Sequence, residues 1–291
     1  MSEPIVLGYD GSPASELALE WAVVAAADRG LPLKIVVTWS LPPVAFGTGA
    51  GGSYEARLMD GLRIDADDTL EKAMTAAQAL NPDLRIQGVV LAGPPAASLV
   101  EQSHEATMLV LGSHGRSGFN ALLVGSVSRQ VSTHAACPAV VVRHRADPKA
   151  KEVVVGVDGS QHALKALDFA YDYASRRGNV LRVVHTWEVP PIGAITGVPT
   201  FSPPELLADI KGNEMRTTAE VLAGHSERYP DVKVIQDVQR GAPVHVLTEL
   251  SDHTALLVVG SRGRGGFVGL LLGSVGHGVM HHAKCPVAIV H

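Results

Sequence analysis

Val6-Leu7-Gly8-Tyr9-Asp10-Gly11-Ser12, near the start of the chain, returns 148 residues later as Val154-Val155-Gly156-Val157-Asp158-Gly159-Ser160. A short apolar run ending in Asp-Gly-Ser reads as a buried strand, a tight turn and a helix start. The same offset governs the rest of the chain. Thr38-Trp39 returns as Thr186-Trp187, Gly93-Pro94-Pro95 as Gly241-Ala242-Pro243, and Cys137-Pro138 as Cys285-Pro286. Residues 112–142 and 260–290 agree at 17 of 31 positions without a gap, which chance does not produce. Solenoid repeats run to roughly 20–50 residues, so a period this long is a whole domain. The sequence predicts two domains, 1–145 and 151–291, joined by the charged stretch Arg143 to Glu152, which contains Pro148.

Within the first copy, strand-like and helix-like patterns alternate. Strands are expected over 4–9, 33–39, 84–91, 107–112 and 138–143, and helices over 13–29, 54–80, 95–105 and 125–134. Ser12 is the expected N-cap of the first helix, Pro13 its first residue and Gly30 its stop. A Pro/Gly-rich loop, 40–53, follows the second strand and is flexible by composition, which suits a lid and a disordered stretch equally. Near-continuous apolar runs such as Met108-Leu109-Val110-Leu111 suit parallel strands covered on both faces. The predicted class is α/β: two tandem, doubly wound, Rossmann-like domains, each with a five-stranded parallel sheet. Periodicity does not give strand order. If the sheet reverses after the third strand, the order is 3-2-1-4-5, and the ends of strands one and four flank a ligand-binding crevice. Those ends carry Asp10 and Gly112.

Composition narrows the function. The chain has 291 residues, 46% of them hydrophobic, and a formal net charge of -5, so it lacks the basic field of a nucleic-acid binder. Two cysteines are too few for a disulfide framework, and each precedes a proline that opens a last strand, where buried, inert thiols are expected. The start has no signal-peptide pattern and no run of about 18 apolar residues occurs, so a cytoplasmic protein with no membrane span is expected. Neither a P-loop signature nor, after the first strand, a dinucleotide fingerprint is present. His277, His281 and His282 include an i, i+4 spacing compatible with zinc, but no third ligand with clear spacing accompanies it, so no metal site is predicted.

The strongest chemical signal follows the fourth strand. Gly112-x2-Gly115, nine residues, then Gly125-Ser126 is repeated as Gly260-x2-Gly263, nine residues, then Gly273-Ser274. Glycines permit positive φ and close backbone approach, so that amides can converge on phosphate oxygens. Gly125-Ser126 opens a helix, whose unpaired amides and dipole favour an anion. Asp10 and Asp158 are placed to accept hydrogen bonds from ribose hydroxyls or an adenine amino group.

These residues resemble the ATP-binding branch of the universal stress protein family, in tandem form and over both copies. The resemblance implies the strand order 3-2-1-4-5 and pairing of domains through their last strands. It places the adenosine end on Gly8, Asp10 and Thr38, and in the second copy on Gly156, Asp158 and Thr186. The phosphate end falls on Gly112, Gly115, Gly125, Ser126 and Val127, and on Gly260, Gly263, Gly273, Ser274 and Val275. The expected binding loops also take in Ser113, Arg116 and Gly118, with Ser261 and Gly266 as counterparts. The copies differ at Ser128, which is Gly276 in the second, while Arg262 and Arg264 stand where the first has His114 and Arg116. The implied function is one adenine nucleotide per domain, ATP or else AMP or ADP, with or without Mg²⁺, in a stress-response regulator. A slow Mg²⁺-dependent ATPase using Asp10 or Asp158 and a nucleotide-free scaffold are the alternatives; no catalytic residue is assigned. Protein partners are not specified, and a homodimer is expected.

Overall fold

The computed structural model describes residues 3–41, 52–115, 124–145, 147, 149–188, 204–264 and 272–291. The predicted site residues Arg116, Gly118 and Gly266, most of the 40–53 loop and Pro148 lie outside them.

The Asp-Gly-Ser turn behaves as its residue types dictate. Strand β1 (Ile5–Gly8) is buried throughout. Gly11 then takes φ 75°, a left-handed conformation that favours glycine. Ser12 caps helix α1 (Pro13–Arg29) by accepting the Ser15 N–H at 3.2 Å, and Pro13 occupies the first turn. Gly30, at φ 62°, closes the helix with its N–H turned back to the carbonyls of Ala26 and Ala27. The second copy repeats each step: Gly159 has φ 78°, Ser160 accepts the Ala163 N–H at 3.2 Å, and Gly178 ends the helix at φ 60°.

Two units result. The first comprises residues 1–145 with 286–289 and 291, and the second 146–285 with 290. After α1 the first unit continues through β2 (Leu33–Trp39), α2 (Gly52–Leu80), β3 (Ile86–Ala92) and α3 (Pro95–Gln102). It then runs through β4 (Met108–Gly112), α4 (Ser126–His134) and β5 (Ala139–Val142). Its strands lie side by side as β3-β2-β1-β4-β5, all parallel. One buried cluster joins Val6, Val36, Leu109 and Leu111 of the sheet to Leu99 of α3 and Val131 of α4. The helix expected over 95–105 changes to a 3-10 turn at Ser103.

The second unit carries β6 (Glu152–Val157), α5 (Gln161–Arg177), β7 (Val180–Trp187), α6 (Pro204–Arg228), β8 (Val234–Arg240), α7 (Pro243–Leu250), β9 (Thr254–Gly260) and α8 (Ser274–His282). Its parallel strands are ordered β9-β6-β7-β8. Here the architecture departs from two separate five-stranded parallel sheets. The last strand of the chain, β10 (Val287–Val290), belongs by its contacts mostly to the first unit. There it pairs antiparallel with β5, Ala288 opposite Val140. The first unit's sheet is therefore mixed. The physical reason is that β5 is four buried residues, Ala139 to Val142, whose outer edge would otherwise present unpaired backbone groups.

Leu109 is fully buried in the cluster beneath α3 and α4. Leu109→Ala is expected to lower stability by about 2–5 kcal/mol, read from urea unfolding, because the close-packed site cannot fully collapse.

Candidate functional site

A cleft opens in each unit at the C-terminal ends of the strands that the sheet order brings together. The first, of about 730 Å³, lies at the ends of β1, β2 and β4, and Asp10, Thr38 and Gly125 to Ser128 line it. The second, of about 570 Å³, lies at the ends of β6, β7 and β9, and Asp158, Thr186 and Gly273 to Gly276 line it. Both volumes fall in the usual range of small-molecule sites, roughly 300–1,000 Å³.

Three ties build each cleft. The N–H of Gly125 donates to the Ser113 carbonyl at 2.7 Å, and the N–H of Gly273 to the Ser261 carbonyl at the same distance. This joins the end of the strand to the start of the next helix. Secondly, Ser12 and Ser160, besides capping their helices, donate their hydroxyls to the carbonyls of His114 and Arg262 at 3.3 Å. Thirdly, Asp10 and Asp158 accept the N–H groups of Ser12 and Ser160 at 3.0 and 2.9 Å. In the second unit the other oxygen of Asp158 accepts the Arg264 N–H at 2.8 Å.

Helices α4 and α8 start from Gly125 and Gly273 with no side chain bonded to their first amides. A helix leaves its first four N–H groups without intrahelical partners, and here those groups border the cleft. Each cleft therefore has a carboxylate at one end and an anion-favouring helix N-terminus at the other.

The motif glycines are needed, but not for positive φ, which beside the clefts is taken by Gly11 and Gly159 and, lining the second, by Gly241. A Cβ on Gly112 would lie 2.6–2.8 Å from backbone atoms of Ala14 and Ser15, and one on Gly260 2.8–2.9 Å from His162. These two glycines let the first turn of α1 or α5 rest on the strand end. At Gly115 and Gly263 a Cβ would collide with the carboxylates of Asp10 and Asp158. Close approach, not unusual dihedrals, is the constraint.

Other predicted residues separate into those facing the clefts and those facing inward. Gly8, Gly112, Gly115, Gly156, Gly260, Gly263, Arg262 and Arg264 line the clefts. Ser113 and Ser261 are 1% exposed and line neither. Their N–H groups donate to Val142 and Val290, and the Ser113 hydroxyl meets His114 Nδ1 at 2.9 Å. Ser128 borders the first cleft but donates its hydroxyl to the Gly112 carbonyl at 2.7 Å, so Gly276 lacks a fold-internal bond. Trp39 lines the first cleft, whereas Trp187 is buried and does not line the second.

Sequence periodicity missed the wall that α2 supplies to the first cleft, Leu62, Asp65, Ala66 and Thr69. Only the pattern of a long amphipathic helix was visible, and that pattern does not say which turn meets the crevice. Among the described residues α6 supplies no such wall to the second cleft, which gains Glu188 where the first has Ser40. In the second unit Glu214 of α6 instead pairs with His185 Nε2 at 2.9 Å, at positions that are Ala66 and Val37 in the first.

The electrostatics of the second cleft agree with an anion end. Burial lowers the pKa of His162, and the charges of Arg262 and Lys165 lower it further against the opposing pull of Asp158. Burial of Asp158 alone raises its pKa, but hydrogen bonds from Ser160 and Arg264 and the Arg264 guanidinium outweigh this and hold it below the ordinary value. Cys137 and Cys285 are free, buried and away from both clefts, their thiols pushed up to about 12 by burial. Among the described residues no group of three or more His, Cys, Asp or Glu could hold a metal, and no helix is long and apolar enough to cross a membrane.

A doubly wound α/β unit, present twice, with a glycine-bordered cleft at the strand ends, defines the class of protein. The chain matches the model of the Universal stress protein family twice, over residues 1–143 and 149–291. It is 36% identical to Universal stress protein Rv2005c of Mycobacterium tuberculosis, with 99% of each chain covered. Universal stress protein Rv2623 of the same species is 33% identical, over 98% of this chain and 95% of that one. A crystal structure of a universal stress protein from Archaeoglobus fulgidus shares the fold at a TM-score of 0.74 and 20% identity, covering 100% of this chain and 98% of that one. The chain belongs to the universal stress protein family.

Two outcomes test this geometry. Gly112→Ala is expected to destabilise the first unit, because its Cβ must displace the backbone of α1; thermal melting measures it. Asp158 stabilises the fold above its unfolded pKa of about 3.9, and that contribution disappears as pH falls through the lower folded value. Asp158→Asn should therefore reduce stability at pH 7 and flatten its fall in acid, as followed by urea midpoints across pH.

Proposed function

We propose that each unit binds one adenine nucleotide and that occupancy of the two clefts regulates the protein's action in the stress response. The single observation that carries this reading is the pairing, in both clefts, of a strand-end aspartate with an uncapped helix N-terminus across a pocket of nucleotide size. The base and ribose occupy the end formed by Gly8, Asp10 and Thr38, or Gly156, Asp158 and Thr186. The phosphates meet the amides of Ser126 and Val127, or Ser274 and Val275, with Gly125 and Gly273 bordering them. ATP brings any Mg²⁺ on its own phosphates. The protein acts in the cytoplasm, as a homodimer, by changing what its loops present to a partner.

The two sites are not equivalent. Arg262 lines the second cleft where the first has His114, and each cleft adds one further carboxylate, Glu188 in the second and Asp65 in the first. A more cationic anion end favours the more highly charged nucleotide. The second site therefore prefers ATP over AMP more strongly than the first, and its affinity falls faster with added salt.

Ser126 and Ser274 are exposed and open their helices, so each accepts a negative charge without harm to the fold. Ser126→Asp and Ser274→Asp should stabilise the helix starts by about 0.3–1 kcal/mol while repelling phosphate. Calorimetric titration is expected to show ATP affinity at the altered site reduced by about tenfold or more, with the other site unchanged. ATP binding that survives both substitutions at wild-type strength would overturn the assignment. No measurable binding by the wild-type chain would leave the scaffold reading.

A further inference from the structure

Helix α8 carries histidines that the nucleotide reading does not use. His277 and His281 lie one turn apart, with ring centroids 4.6 Å from each other and planes inclined at 44°. The neighbouring residues point the other way. A Cβ on Gly278 would lie 2.7 Å from Val244 of α7, and Val279 and Met280 are buried. His277 is exposed and His281 half-buried on the solvent side of the helix.

That ring separation has a chemical meaning. An imidazole bound through one nitrogen at about 2.0–2.1 Å holds its centroid about 3.2 Å from the metal ion. Two such rings at 90° lie about 4.5 Å apart, and at the tetrahedral angle about 5.2 Å. The 4.6 Å separation leaves room for both rings to meet one ion at about 90°, as in a tetragonal centre. We propose that His277 and His281 form a two-imidazole site for a late divalent transition-metal ion, Cu²⁺ above all, with water completing the coordination.

The absence, among the described residues, of any group of three or more metal-ligating side chains makes this an exchangeable surface site rather than a structural one. Imidazole suits copper, nickel and zinc, and affinity follows the order Cu²⁺ over Ni²⁺ over Co²⁺. The first unit has Arg129 and Thr133 in the same positions and lacks the site. The His277 N–H donates to the Gly273 carbonyl at 3.1 Å, the first bond of α8. An ion bridging residues 277 and 281 thus braces the opening turns of the helix whose N-terminus borders the second cleft.

The full chain, purified without a polyhistidine tag, is titrated separately with Cu²⁺, Ni²⁺ and Co²⁺ by calorimetry, with the Cu²⁺ spin-resonance spectrum recorded. The expected result is affinity in that order and hyperfine coupling to two nitrogen ligands. His277→Arg with His281→Thr installs the residues of the first repeat. It should weaken Cu²⁺ binding by more than roughly tenfold, with metal-free melting unchanged and His282→Ala without effect. The converse pair, Arg129→His with Thr133→His, should add a second site. Wild-type Cu²⁺ affinity in the His277→Arg/His281→Thr chain, or equal loss on His282→Ala, would overturn the proposal.

Discussion

The first turn of α1 rests on the end of β4 at a distance that leaves no room for a Cβ on Gly112, and α5 rests on β9 at Gly260 in the same way. The clefts depend on this contact. It brings Ser12 within reach of His114 and Ser160 within reach of Arg262, so one hydroxyl both caps a helix and holds the start of the glycine-bordered loop. It also sets the strand-end aspartate against Gly115 or Gly263, where a side chain would collide with the carboxylate. A glycine at the strand end thus acts on the scaffold, and through it on the shape of the cleft.

Duplication kept this scaffold and let its borders diverge. The Ser–loop ties, the Gly-to-Ser carbonyl bonds and the positive-φ turns occur in both units with nearly the same geometry. What changed are the walls: Asp65 and Ala66 of α2 at the first cleft, Glu188 and Arg262 at the second. Backbone ties tolerate little change, because the loss of one leaves a loop carbonyl or amide without its partner. Side chains at a cleft mouth are free of that constraint and can set ligand preference separately.

The sequence alone determined what is local. The Asp-Gly-Ser turn, the Ser12 and Ser160 caps, the Gly30 and Gly178 stops and the strand–helix alternation follow from side-chain hydrogen bonds and dihedral preferences spanning a few residues. The repeat and its spacing also marked where a glycine-bordered anion end would lie. Tertiary structure decided what those residues do. It turned Ser113 and Ser261 inward, engaged the Ser128 hydroxyl with Gly112, made α2 a wall, and set β10 against β5. Each outcome depends on neighbours brought close by the fold, as Ser12 and His114 are across 102 positions of chain. Short-range patterns carry no record of such distances, and so the motif could be read from its glycines while the reason for each glycine could not.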